Sequence, residues 1–249
     1  MGLHIYAGSL VRLFTNDWEN EVQRASRERG FTYQTNYQGG EPSWPTPAKA
    51  AEHVAWMRET LVATPDVGPG AVDWRDDTND YHTIKLHEEG RDAIAIISAH
   101  LRRPDLPMPS RMPVSAADDL AYAEAGAKGY LMDAVAPFDA TLIIPGTFAR
   151  ISLIQDPLGE MRIVCSTALL QASLDAVKQG FWAGAVEPDV WRNRGLVYAR
   201  SGGTRSADGT WLPEPEPPDS LRGNAEFAFG VYTSMLAFSQ HHHAAIAMW

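Results

Sequence analysis

Asp73-Trp74-Arg75-Asp76-Asp77-Thr78-Asn79-Asp80 is the chain's densest run of oxygen ligands. Such a run suggests calcium, but it lacks the glycine at the sixth position and the late bidentate glutamate of an EF-hand loop. It reads instead as a solvated acidic loop. Asp73, Trp74, Asp76, Asp77 and Asp80 are then candidate partner-binding residues, the charge speeding encounter with a basic protein and the indole supplying buried contact.

Histidines offer the next chemistry. His82 and His87, with Glu88 beside them, are five residues apart. Zinc-protease histidines need i and i+4 on one helical face, whereas a separation of five points the two rings away from each other on a strand or a helix. His241-His242-His243 would put His241 and His243 on one face if the triplet joined a final strand. No carboxylate lies near it in sequence, so it reads as a helix-to-strand junction, where histidine is favoured by the helix dipole. Arg192 and Arg194, with Arg200 and Arg205, have the planar fork that grips phosphate or carboxylate, or they balance Glu214 and Glu216. An enzyme would assemble a composite site from Arg192, Arg194, His241 and His243.

Other motifs fail on spacing. Ser201-Gly202-Gly203-Thr204-Arg205 lacks the Lys-Ser/Thr of a phosphate loop. Cys165 is the one cysteine, so there is no intrachain disulfide and no cysteine zinc cage. There is no Gly-x-Ser-x-Gly elbow. The expectation is no metal and no cofactor.

The positioning elements follow from pattern. With 249 residues, 45% of them hydrophobic, the chain can bury one large core. Leu3-His4-Ile5-Tyr6-Ala7-Gly8 and Ala244-Ala245-Ile246-Ala247-Met248-Trp249 read as terminal strands of a single domain spanning 1–249. Phe148–Ile154 and Glu160–Cys165 read as a hairpin about the turn Asp156-Pro157-Leu158-Gly159, and Ser166 or Thr167 caps a helix buried through Leu170, Leu174, Val177 and Phe181. Asn16 with Glu19 resembles a capping box for a helix ending at Gly30, and Thr46-Pro47 starts another. Helices over 93–101 and 221–240 are apolar on most faces and belong in the centre. Ser115 with Asp118 caps a further short helix. The stretch 184–220, rich in Gly, Pro, Arg and Glu, reads as a flexible loop or insertion. The class is α+β: a small mixed or antiparallel sheet holding both terminal strands and the 148–165 hairpin, packed with five or six helices.

The start Met1-Gly2-Leu3-x-x-Tyr6-x-Gly8 with Asp17-Trp18, and Asp156-Pro157-x-Gly159-x-x-Arg162-Ile163-x-x-Ser166 before a helix, resemble a family of uncharacterised bacterial cytosolic proteins. That resemblance carries over no activity and no site residue.

A formal net charge of −10 argues against nucleic acid, which needs a concentrated basic face. No apolar run approaches the roughly 18 residues of a membrane span, and the start lacks a secretory leader, so the expectation is a cytoplasmic chain away from membranes. Trp44, Trp74, Trp191 and Trp211 fall in loops, where an exposed indole more often anchors an interface than a core. The functional expectation is a soluble protein-binding module, concretely an immunity- or antitoxin-like protein that neutralises a basic partner through an acidic surface. Its rivals are an enzyme with the composite site above and a structural subunit of an oligomer.

Overall fold

The computed structural model describes residues 2–31, 43–65, 67–68, 70–127, 136–182 and 220–248. Six strands, β1 (Gly2–Gly8), β2 (His82–His87), β3 (Leu142–Ile144), β4 (Ser152–Gln155), β5 (Met161–Ser166) and β6 (Ala245–Met248), form one mixed sheet in the order β2-β1-β6-β3-β5-β4. Only β3 and β5 pair in parallel. The two strands nearest the chain's ends are neighbours, Ile5 opposite Met248 and Ala7 opposite Ile246. The fold is α+β.

Alternation along each strand builds a core on both faces. Ile5, Ala7, Ile143, Cys165, Ile246 and Met248 point to one side. There they meet α4 (Glu88–Arg102), α5 (Leu120–Ala127), α6 (Ala136–Asp139), α7 (Thr167–Phe181) and α8 (Leu221–His242). Tyr6, Leu142, Ile144, Val164, Ala245 and Ala247 point to the other, against α1 (Leu10–Phe14), α3 (Pro47–Ala63) and Trp74. With α2 (Glu21–Glu28) the described residues hold eight helices.

The Tyr6-x-Gly8 motif is a packing device. A Cβ on Gly8 would lie 2.4 Å from the Tyr6 hydroxyl, which is buried and donates to Ser9 O at 3.0 Å. Only glycine lets the strand turn back over its own tyrosine.

Side-chain caps place most helices. Thr46 Oγ1 accepts from Lys49 N with Pro47 at the first position, Ser166 Oγ accepts from Leu169 N, and Ser115 with Asp118 closes a box ahead of α5. The box expected at Asn16 and Glu19 stands four residues later, at Asn20 and Gln23. The reason is α1, a five-residue helix that occupies 10–14 and exits through Asn16 in the left-handed region, φ 56°. The hairpin turn is as expected: Gly159 has φ 87°, and its N–H donates to Asp156 O. The fully buried Asp156 carboxylate accepts from Leu158 N and Glu160 N and pairs with Arg162 at 2.7 Å. Phe148–Ile151, expected to open that hairpin, precedes β4, and β2 and β3 are strands that pattern alone did not signal.

Among the described residues no helix is long and apolar enough to cross a membrane. The loop expected at 184–220 lies, apart from Ser220, outside them.

Among the described residues β6 is the sole hydrogen-bonded link between the β2–β1 pair and the β3–β5–β4 group, so truncation before residue 245 should abolish cooperative unfolding in a thermal melt. A transition kept within a few degrees of the intact protein's would show that the sheet does not depend on it.

Candidate functional site

The acidic loop is divided between core and surface. Trp74 is only 2% exposed, and its Nε1–H donates to Asp76 Oδ2 at 2.7 Å. The guanidinium of Arg58 lies 4.1 Å over the Trp74 ring while its Nη2 sits 3.3 Å from the same carboxylate oxygen. Asp76 Oδ1 accepts from Leu10 N at 2.9 Å, tying the loop to the start of α1. Burial raises the Asp76 carboxyl above its ordinary range, against the pull of the donors around it. Trp74 and Asp76 therefore hold the loop onto α1 and α3. The expectation that Trp74 is an exposed interface anchor is overturned, because a ring of this size fills the space between α3 and the sheet. Asp73, Asp77 and Asp80 do face solvent.

Folding brings the loop to the terminal histidines, which sequence kept apart. His243 Nδ1 lies 2.9 Å from Asp73 Oδ2, and His242 Nδ1 lies 3.7 Å from Asp80 Oδ2. His241 and His242 end α8, and His243 is its left-handed C-cap at φ 51°, with β6 starting beyond. The strand-face pairing of His241 with His243 is thus corrected: the helix runs further than its apolar pattern. His242 stacks on Phe238, one helical turn back, at 4.3 Å between ring centres. Arg192 and Arg194, the other half of the composite site, lie outside the described residues. His82 and His87 do not meet, one ring resting on Phe238 and the other on Phe227. Among the described residues no three His, Cys, Asp or Glu side chains group closely enough to hold a metal ion. Cys165 is fully buried, and burial pushes its thiol above the ordinary range, away from the reactive thiolate.

Two polar clusters went unread in the sequence. In the first, His100 Nε2 meets Asp119 Oδ2 at 2.9 Å, with side chains 3% and 5% exposed. Asp119 Oδ1 also accepts from Tyr122 N, so this pair caps α5 and joins it to α4. In the second, Arg91 pairs with Asp92 at 3.1 Å, and the Tyr122 hydroxyl donates to Asp139 Oδ2 at 3.4 Å. Burial raises the Asp139 carboxyl and pushes the Tyr122 hydroxyl up to about 12.

The third unread group is the outward face of α3. Ala50, Val54, Met57 and Leu61 bury one stripe of this helix. The opposite stripe carries Glu52, Trp56 and Glu59, all exposed, and Trp56 is a large apolar ring 44% open to solvent. Pro45, Lys49, Glu52, His53, Trp56 and Pro157 line a cleft of about 510 Å³ beside it. The His53 ring meets Trp56 edge-on, centres 4.9 Å apart, and its Nε2–H donates to Gln155 O on β4 at 3.2 Å. The indole is therefore braced before any partner arrives. The signal in the sequence was partial: Glu52, Trp56 and Glu59 stand at i, i+4 and i+7, but only the packing of Ala50, Val54, Met57 and Leu61 shows that this stripe is the open one.

No family model matches the chain, and neither a curated protein nor a solved structure is similar to it. Function therefore rests on the geometry.

Two outcomes follow. Trp74→Ala should cost about 3–5 kcal/mol, as for a large buried aromatic, and show in denaturant melts. His4 and His82 both have pKa values lowered below the ordinary 6.5, first by burial and then by Lys85 and Arg24 respectively. The unfolded chain then binds the extra protons, so the stability these neutral rings confer is complete above about pH 6.5 and is lost as pH falls through their lowered values. Replacing both with Gln should flatten the slope of stability against pH in that window; an unchanged slope would assign it to other groups.

Proposed function

We propose that this chain is a cytoplasmic protein-binding module that takes a basic partner, with the outward face of α3 as its docking surface. An immunity- or antitoxin-like role is the narrower form of this reading. The observation that carries it is Trp56, exposed and braced beside a cleft, with a carboxylate on either side along the same stripe. Interface energy concentrates in such aromatic anchors, and a pre-positioned ring loses little freedom on binding. The net charge of −10 supports a basic partner and steers its approach. Asp73, Asp77 and Asp80 add to that field, but two of them already face histidines, so they serve encounter more than contact.

An enzyme is the second reading. The observation that favours it is the Asp139–Tyr122 pair beside Arg91, since shifted carboxyl and phenol groups in contact are a common feature of active sites.

With a partner captured from the source cell, Trp56→Ala should weaken binding at least about 10-fold, mainly through faster dissociation. The same substitution should leave stability within about 0.5 kcal/mol, because the ring is outside the core. Neutralising Asp73, Asp77 and Asp80 to Asn should slow association and flatten its salt dependence. Unchanged affinity in the Trp56 variant would move the docking surface off α3.

A further inference from the structure

We infer that the group which docks on α3 is an arginine side chain, its guanidinium laid over the Trp56 indole and bonded to Glu52 and Glu59. This rests on α3 being the docking face and names the chemistry that face recognises. Residues four and three positions away on a helix are neighbours on its surface, so both carboxylates flank the indole. Neither glutamate has an ion-pair partner among the described residues. The cation nearest in sequence, Arg58, is turned to the other side of the helix and is occupied with Asp76 and Trp74. Lys49, which lines the cleft by Pro45, stands three residues before Glu52 and seven before Trp56 on the same stripe, so Glu59, farther along the helix, is the carboxylate it screens least.

The molecule already holds one complete example of the arrangement. Arg58 stacks on Trp74 at 4.1 Å and bonds the Asp76 carboxylate at 3.3 Å, a guanidinium held by an aromatic face and an acid together. At Tyr81 the guanidinium carbon of Arg12 lies 5.0 Å from the ring centre while its Nε pairs with Asp17 at 3.0 Å, a second case of the same kind. Trp56, Glu52 and Glu59 present the same two chemistries to solvent with no cation of the described residues between them. Arginine suits this site better than lysine, because its planar fork stacks on the indole and bonds carboxylates at the same time. The other walls, Pro45 and Pro157, offer apolar contact for the methylene stem.

The test uses the intact protein with nitrogen-labelled tryptophan, following the Trp56 indole N–H signal assigned through Trp56→Phe. The probe is a short blocked peptide of alternating glycine and arginine. A matched peptide replaces arginine with citrulline, which keeps the shape and loses the charge. The arginine peptide should move the Trp56 signal saturably, and the citrulline peptide should bind at least about 10-fold more weakly. Glu52→Gln with Glu59→Gln should weaken arginine-peptide binding about 5-fold or more, while Asp73, Asp77 and Asp80 changed together to Asn should weaken it less than about 2-fold. Equal binding of the citrulline peptide overturns the inference. So does an equal loss from the three-aspartate variant, which would mean that only net charge is read. The two readings separate cleanly. If a captured partner depends on Trp56 but the peptide leaves its signal unmoved, the docking face stands and the arginine anchor falls. If the peptide titrates Trp56 but the partner ignores Trp56→Ala, the anchor stands and the docking face falls.

Discussion

The whole architecture depends on the pairing of β6 with β1 on one side and β3 on the other. The four residues of β6 join two groups of strands that, among the described residues, have no other hydrogen-bonded link in the sheet. Their side chains serve both cores at once, Ile246 and Met248 toward α8 and the small Ala245 and Ala247 toward α3 and α1. The small residues matter because Tyr6 and Trp74 fill the same layer, and a larger side chain at 245 or 247 would overpack it. The chain arrives there through His243, whose left-handed backbone ends α8 and whose carbonyl accepts from Arg75 N at 2.7 Å. The last helix, the last strand and the 73–80 loop are thus fixed by one corner.

From that corner the loop continues inward. Asp73 N donates to Pro145 O, Trp74 fills the α3 layer, and Asp76 bonds the first N–H of α1. Trp74 and Asp76 therefore spend their chemistry on the fold, while Asp73, Asp77 and Asp80 face solvent. Arg58, drawn inward by Trp74 and Asp76, leaves the outward stripe of α3 with Lys49, two glutamates and an indole 44% exposed. Position and charge at the proposed docking face are a consequence of this internal pairing. A change that freed Arg58 would alter both the anchor of the loop and the field around Trp56.

Most cap and turn signals decided by their own few residues held, although the box read at Asn16 and Glu19 stands at Asn20 and Gln23. Thr46-Pro47, Ser115 with Asp118, Ser166, Gly30 and the Asp156–Gly159 turn all stand where spacing put them, since each satisfies its backbone groups without outside help. Apolar helices were legible for the same reason that they are central: α4 and α8 carry apolar residues on most faces. Strands β2 and β3 were not legible, because six and three residues form a strand only when neighbours supply the hydrogen bonds. The exposure of a tryptophan was not legible either. Trp74 in a loop is buried and Trp56 in a helix is open, and nothing in either residue's immediate sequence fixes which.

By itself, then, the sequence determined the α+β class, most of the caps, the hairpin turn, the buried helices and an acidic chain with a single inert thiol. These depend on local periodicity, backbone satisfaction and composition. Only the tertiary structure decided which acidic residues meet histidines, which indole is core and which is surface, and which arginine is already occupied. Asp73 and His243 are 170 positions apart. Arg58 and Asp76 belong to different elements, and only the α3 layer brings them together around Trp74. Contacts of that kind are set by how the layers close on the sheet, which no short stretch of residues specifies.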